Sequence, residues 1–175
     1  MPNIFVISDT HFGHANILNF KGLDDKPLRE FKDVHHMDEH MIEMWNSVVR
    51  PQDKVYHLGD VLVKGANWTL LQRLNGHKRL ILGNHDYPDM KLYTPYIFEA
   101  VYSSRMIDRL LFTHIPVHPL SLGKAIANVH GHVHNNVAPN HFGKQYVNVS
   151  VEVIDYTPIS LDALQQLVQK RLSHA

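Results

Sequence analysis

An α/β fold is predicted by this sequence, specifically a four-layer α/β/β/α sandwich of two mixed sheets flanked by helices. Three observations carry it. Short apolar runs of strand length alternate with helical periods in the first half, strand-like runs follow one another after Pro95, and five polar blocks each begin where an expected strand ends.

Residues 3–8 (Asn-Ile-Phe-Val-Ile-Ser) read as a buried first strand. The next stretch is polar and loop-like. Asp33 is placed to cap a helix in which Val34, Met37, Met41, Met44, Trp45 and Val48 recur at helical spacing and which stops before Pro51. That methionine-rich stripe reads as core packing. Residues 53–58 form a second expected strand, 67–74 a short amphipathic helix ended by Gly76, and 79–82 a third strand. This alternation implies parallel pairing with right-handed crossovers. Runs at 97–102, 105–107, 110–113, 126–129 and 145–151 read as strands of a mixed or antiparallel sheet, with Asp108 and Arg109 as a hairpin turn. Ser160 caps a last helix whose inner face carries Leu161, Leu164, Leu167, Val168 and Leu172.

With 175 residues, a single domain over 1–175 is expected. Seventeen basic and seventeen acidic residues cancel without forming blocks, so a long nucleic acid is not an expected partner. There is no cysteine, which excludes disulfides and thiolate metal sites. The opening residues read as a strand and not a signal peptide, and no run has the ~18 apolar residues of a membrane span. A cytoplasmic protein with no membrane partner is therefore expected; no feature specifies an oligomeric state.

Five blocks carry chemistry: Asp9-Thr10-His11, Gly59-Asp60, Gly83-Asn84-His85-Asp86, Thr113-His114 and Gly131-His132-Val133-His134. Asp9 and His11 are two apart at a strand end, so both can reach one ion. Asn84 offers a neutral carbonyl oxygen, and His85 can move protons. His132 and His134 flank Val133 so that both imidazoles can point toward one cavity. Taken singly, each block also fits a turn, a helix cap or a packed histidine. Together, each of ligand chemistry and each at an expected strand end, they point to a shared metal site at the edge where open α/β sheets place their chemistry. Asp86 fits either a helix start or a partner that orients His85. His14 is a further candidate for touching a phosphate, and His118 a weaker one.

In these motifs, D-T-H, G-D, G-N-H-D, T-H and G-H-V-H, the chain resembles the calcineurin-like metallophosphoesterases. Within them it is similar to the small single-domain bacterial and phage phosphoesterases that open with S-D-T-H-F-G-H and V-Y-H-L-G-D-V. The resemblance covers positions 3 to about 151. It implies that Asp9, His11 and His134 hold one divalent metal ion and that Asn84, His114 and His132 hold a second. Asp60 would bridge them, and His85 would bind no metal and meet the substrate. The reaction implied is attack of a metal-bridging hydroxide on a phosphoester. Oxygen and imidazole donors suit manganese, the first choice, or iron, nickel, cobalt, zinc or magnesium. Protein phosphatases of this superfamily carry an arginine just after the G-D block, whereas here Asp60 is followed by Val61-Leu62-Val63-Lys64. Without that clamp on a dianion, a small-molecule or cyclic nucleotide phosphodiester is the expected substrate. The alternatives are a phosphomonoester, or a metal-bearing binding scaffold without catalysis.

Overall fold

Strand β1 (Ile4–Ile7) is the hub of the molecule, because its two faces feed two different cores. Phe5 and Ile7 pack on one side with helix α1, while Val6 packs on the other with the second sheet, the period-two alternation of a strand. The computed structural model describes residues 2–86, 90–136 and 143–173.

After β1 come α1 (Val34–Val48), β2 (Lys54–His57), β3 (His77–Ile81), α2 (Met90–Ile97) and β4 (Phe98–Tyr102). Then follow β5 (Arg105–Ile107), β6 (Leu110–Phe112), β7 (Ala127–His130), β8 (Tyr146–Asn148), β9 (Ile159–Ser160) and α3 (Leu161–Ser173). One sheet has the order β4-β3-β2-β1-β9, with β1 to β4 mutually parallel and β9 antiparallel to β1. The other has the order β5-β6-β7-β8, with β5 antiparallel and the rest parallel. The α/β class with two mixed sheets is thus the one the sequence predicts.

Asp33 caps α1 by accepting from His36 N at 2.8 Å. Met37, Met41 and Trp45 of α1 are fully buried with Leu71, Leu80 and Phe98 in the core on the outer side of the five-stranded sheet. Each side chain of this size removed from water stabilises the fold by about 1.5–3 kcal/mol. Between the sheets, Val6, Tyr56 and Ile81 meet Phe112, Val129 and Val147. Leu161, Leu164 and Val168 of α3 belong to this same inter-sheet core, and Arg171 donates to Tyr146 O at 2.7 Å.

Four local expectations change. The amphipathic stretch at 67–74 is a 3₁₀ helix, Trp68–Arg73, whose cap Asn67 accepts from Thr69 N at 3.1 Å. Pro95 does not separate helix from strand but lies inside α2; it removes one hydrogen bond from an eight-residue helix whose end is anchored by buried Ile97 and Phe98. Strand β9 is two residues long, too short to leave a periodic signal. Leu172, expected on the inner face of α3, is 38% exposed because the last turn runs past the core. Asp108 and Arg109 do form the β5–β6 turn, both with positive φ (47° and 64°), as a two-residue hairpin loop requires.

Among the described residues, no helix is long and apolar enough to cross a membrane.

Candidate metal centre

The five blocks converge at the carboxyl ends of β1, β2, β3, β6 and β7, where the edges of the two sheets meet. Backbone pairing continues beyond the strands and holds them there: Asp9 N donates to Gly59 O (3.0 Å), His11 N to Asp60 O (3.0 Å) and Phe12 N to Val61 O (2.9 Å). The chain after β8 crosses between sheets. Val149 N donates to His130 O (2.8 Å) in one sheet, and Val151 N to Ser8 O (3.1 Å) in the other.

Asp9, His11, Asp60, His132 and His134 all adopt left-handed backbone conformations, with φ of 59°, 48°, 57°, 71° and 48°. Such conformations cost about 1–3 kcal/mol each in residues other than glycine and persist only where the surroundings impose them. The blocks also touch closely. A Cβ on Gly83 would collide with Asp60 N and Oδ1, and one on Gly131 with Ser8 Oγ and Asp9 Oδ2. These glycines let the loops approach to contact distance.

Two ligand groups result. Donor atoms of Asp9, His11 and His134 lie within 4.8 Å of one another, and so do those of Asp60, His114 and His132. Asn84 Oδ1 lies 2.9 Å from His114 Nε2 and 3.0 Å from His132 Nδ1. Asp60 Oδ2 faces both groups, 3.6 Å from His11 Nε2 and 3.4 Å from His114 Nε2. His85 is exposed beside them, its ring centroid 5.6 Å from that of His11 and its N–H donating to Asp60 Oδ1 at 2.9 Å. All eight residues singled out in the sequence are therefore gathered at one place.

Donor chemistry tests whether cations fit. Nδ1 of His114 lies 2.7 Å from Leu58 O, which can only accept, so Nδ1 carries the proton and the Nε2 lone pair turns inward. Likewise His134 Nδ1 meets Glu152 Oε1 at 2.9 Å, leaving its Nε2 for the centre. With Nε2 unprotonated, the lone pairs of His114 Nε2, Asn84 Oδ1 and Asp60 Oδ2 face one another, an arrangement relieved by positive charge among them, either a second ring proton that bonds Asp60 or a bound cation. Two divalent cations fit this donor set.

The titration behaviour of the metal-free site agrees. Burial, the largest influence on His114, would lower its pKa, but its bond to Asp60 and the Asp60 and Asp9 charges raise it overall. Burial would raise Asp60, yet the His114 hydrogen bond and charge, with the His85 N–H, hold it below the usual carboxylate range. Burial pushes Asp9 up and holds His11 neutral, down to about 2.

Several supports were not legible in the sequence. Glu152 Oε1 accepts from His134 Nδ1 and from Arg29 Nε at 2.7 Å. Buried Arg29 also donates to Asp9 O (2.5 Å) and Thr10 O (2.8 Å), and so ties one carboxylate to the backbone of the first block. Ser150 Oγ donates to Asp9 Oδ2 at 2.8 Å, and His132 N to the same oxygen at 2.9 Å. Arg29 lies in the stretch read only as a polar loop, and Glu152 just past the expected strand 145–151. The Asp86 carboxylate accepts from Asp60 N (2.9 Å), Val61 N (2.9 Å) and Gly83 N (2.8 Å), which laces two blocks together. His14 and His118 accept from Ile17 N and Leu120 N as caps of 3₁₀ turns; His14 lies close to the centre, its ring 5.8 Å from that of His11.

No family model matches the chain. It is 36% identical over 186 aligned residues to the uncharacterized protein MJ1445 of Methanocaldococcus jannaschii, covering 97% of this chain and 93% of that protein. The gene 66 protein of Mycobacterium phage L5 is 38% identical over 93 residues, covering 50% of this chain and 42% of the phage protein. Among solved structures, a protein of unknown function from Aquifex aeolicus, AQ665, superposes with a TM-score of 0.73 at 28% identity, over 95% of this chain and 100% of that one.

Proposed function

We propose that this chain, which belongs to the family of the Methanocaldococcus jannaschii protein, is a dinuclear metal-dependent phosphoesterase acting on small phosphodiesters, cyclic nucleotides among them. The observation that carries this reading is the convergence of two ligand groups on a shared Asp60 carboxylate, with an uncommitted histidine, His85, at their rim. Asp9, His11 and His134 would hold one ion, Asn84, His114 and His132 the other, with manganese the first choice. Bound there, the ions would acidify a water and offset the charge of a phosphoester.

The protein's own groups do the rest. Asp60 and Asp9 supply two negative charges against four positive, so the loaded centre keeps a net charge of about +2 and attracts an anionic substrate. His85, anchored through its backbone N–H to Asp60 Oδ1, would offer its imidazole as the proton donor to a leaving alkoxide. Arg29 is occupied by Glu152 and two carbonyls and cannot grip a phosphate. That favours a singly charged diester over a doubly charged monoester, and the balanced charge of 17 basic and 17 acidic residues favours a small substrate over a long nucleic acid. A cytoplasmic location goes with this reading.

The test is hydrolysis of bis-p-nitrophenyl phosphate against p-nitrophenyl phosphate after chelation and manganese re-addition. Faster, metal-dependent turnover of the diester is expected. Asp60→Ala should lose metal and activity together, whereas His85→Ala should keep both ions and lose activity by about 10²- to 10⁴-fold. Two bound metals with no turnover of either ester would turn the reading toward a binding scaffold.

A further inference from the structure

A cavity of about 580 Å³ opens directly beside Asn84 and His114, within the size range of small-molecule sites. Its walls come from segments that the fold holds firmly. Leu82 follows β3 and pairs with Tyr102 (Leu82 N to O, 2.9 Å); Leu111 lies on β6. Val117 is pinned at both its polar groups, its N–H by Asn128 Oδ1 (3.0 Å) and its carbonyl by Tyr146 OH (2.7 Å). The Thr113 hydroxyl is engaged by Ile115 O and Asn128 Nδ2, both at 2.8 Å. The lining also includes Ser103 and Ser104, in the turn between β4 and β5, and Ser121.

The composition of the lining selects its guest. Among the described residues that line the cavity, none other than His114 can carry charge. Beyond the metal centre at one end, whose charge the phosphoester itself would meet, this wall offers an anionic group on the substituent no cationic side-chain partner. Leu82, Leu111, Ile115 and Val117 offer apolar contact, and the serines offer hydrogen bonds at the edge. Ile115 lies at this mouth with 51% of its surface in solvent, apolar area that a guest would cover.

We propose that this cavity is the subsite for one organic substituent of the phosphoester: an uncharged group of up to nucleoside size, with apolar faces and hydrogen-bonding edges. The assignment of that role rests on the phosphoesterase reading. It separates accepted substrates from those whose substituent carries a further phosphate or an acidic peptide.

Two measurements on the full-length chain test it. In the first, thymidine alone is titrated while backbone amide signals are followed. Shifts should concentrate at Ser103, Ser104, Leu111 and Val117 and vanish in Ser104→Trp, which fills the rim. In the second, three p-nitrophenyl phosphodiesters are compared with manganese present, their other substituent being methyl, thymidine or thymidine 3′-phosphate. The thymidine ester should exceed each of the others at least tenfold in kcat/KM, and in Ser104→Trp its advantage over the methyl ester should fall to within about twofold. Absence of shifts at the cavity overturns the subsite whatever the turnover. Turnover without preference, or equal use of the 3′-phosphorylated ester, overturns it while leaving the phosphoesterase reading intact. Shifts at the cavity with no turnover of any ester uphold the binding site and overturn the phosphoesterase reading.

Discussion

Glu152 braces the candidate site from behind, because it joins His134 to Arg29 and, through Arg29, to the backbone of Asp9 and Thr10. A carboxylate behind a ligating imidazole fixes the ring's tautomer and raises its basicity. Burial would raise the Glu152 pKa, but the Arg29 charge and the His134 bond hold it at about 2. Glu152→Gln keeps the shape and removes the charge. Metal affinity should drop about 10- to 100-fold, and stability should fall by roughly 3 kcal/mol as Arg29 loses its counter-ion. Titration calorimetry and urea unfolding would read the two effects, and native affinity in the variant would remove Glu152 from the site. The candidate ligands that the structure gathers were legible in sequence because each motif is contiguous. Glu152 and Arg29 were not, since they lie 123 positions apart and neither has a local pattern that marks a buried charge.

Elements with a clear period were also legible. α1 has a capping aspartate and a buried stripe, β1 to β3 are apolar runs closed by polar blocks, and α3 follows a serine whose Oγ accepts from Ala163 N at 3.2 Å. The 3₁₀ helix and α2 were misread where packing outweighs local preference, and β9, two residues long, was missed for want of a period. The ends of β2 and β3 are joined by something subtler, the Asp86 carboxylate: Oδ2 accepts from Asp60 N and Gly83 N while Oδ1 accepts from Val61 N. In Asp86→Asn one oxygen can still serve the first pair, but the amide nitrogen must then face the Val61 N–H, donor against donor. An unsatisfied buried donor costs about 1–3 kcal/mol, so the variant should lose that much stability. On the two-metal reading it should also bind a second ion more weakly, because Asp60 and Asn84 would no longer be held in register. Unchanged stability together with two full metal equivalents would show that the loops keep their places without the brace.

At the scale of the whole molecule, joining the first two blocks depends on a buried imidazole that must stay neutral. His57 is buried at the end of β2, where Nδ1 accepts from Gly59 N (3.2 Å) and Nε2 meets Thr10 Oγ1 (2.9 Å), whose own proton goes to Val61 O (2.8 Å). This closed chain stitches the first two blocks together and leaves no room for a second ring proton. Burial lowers the His57 pKa to about 3, against about 6.5 in the unfolded chain. Between those values the unfolded state binds the proton and the folded state does not. The stability His57 contributes is therefore complete above about pH 6.5 and is lost progressively as pH falls toward 3, amounting to about 2 kcal/mol by pH 5. His11, held neutral down to about 2, adds a loss of the same sign in the metal-free protein. For a slope near 2 kcal/mol per molar, the His57 share lowers the urea midpoint by about 1 M between pH 7.5 and pH 5, against the opposite contributions of His114, His134 and Asp38, whose folded pKa values are raised. His57→Gln, which retains an acceptor and a donor but cannot ionise, should lose about 1 M less of its midpoint than the native chain over that range. An equal drop in both proteins would place the acid sensitivity elsewhere than in the buried imidazole that links β1 to β2.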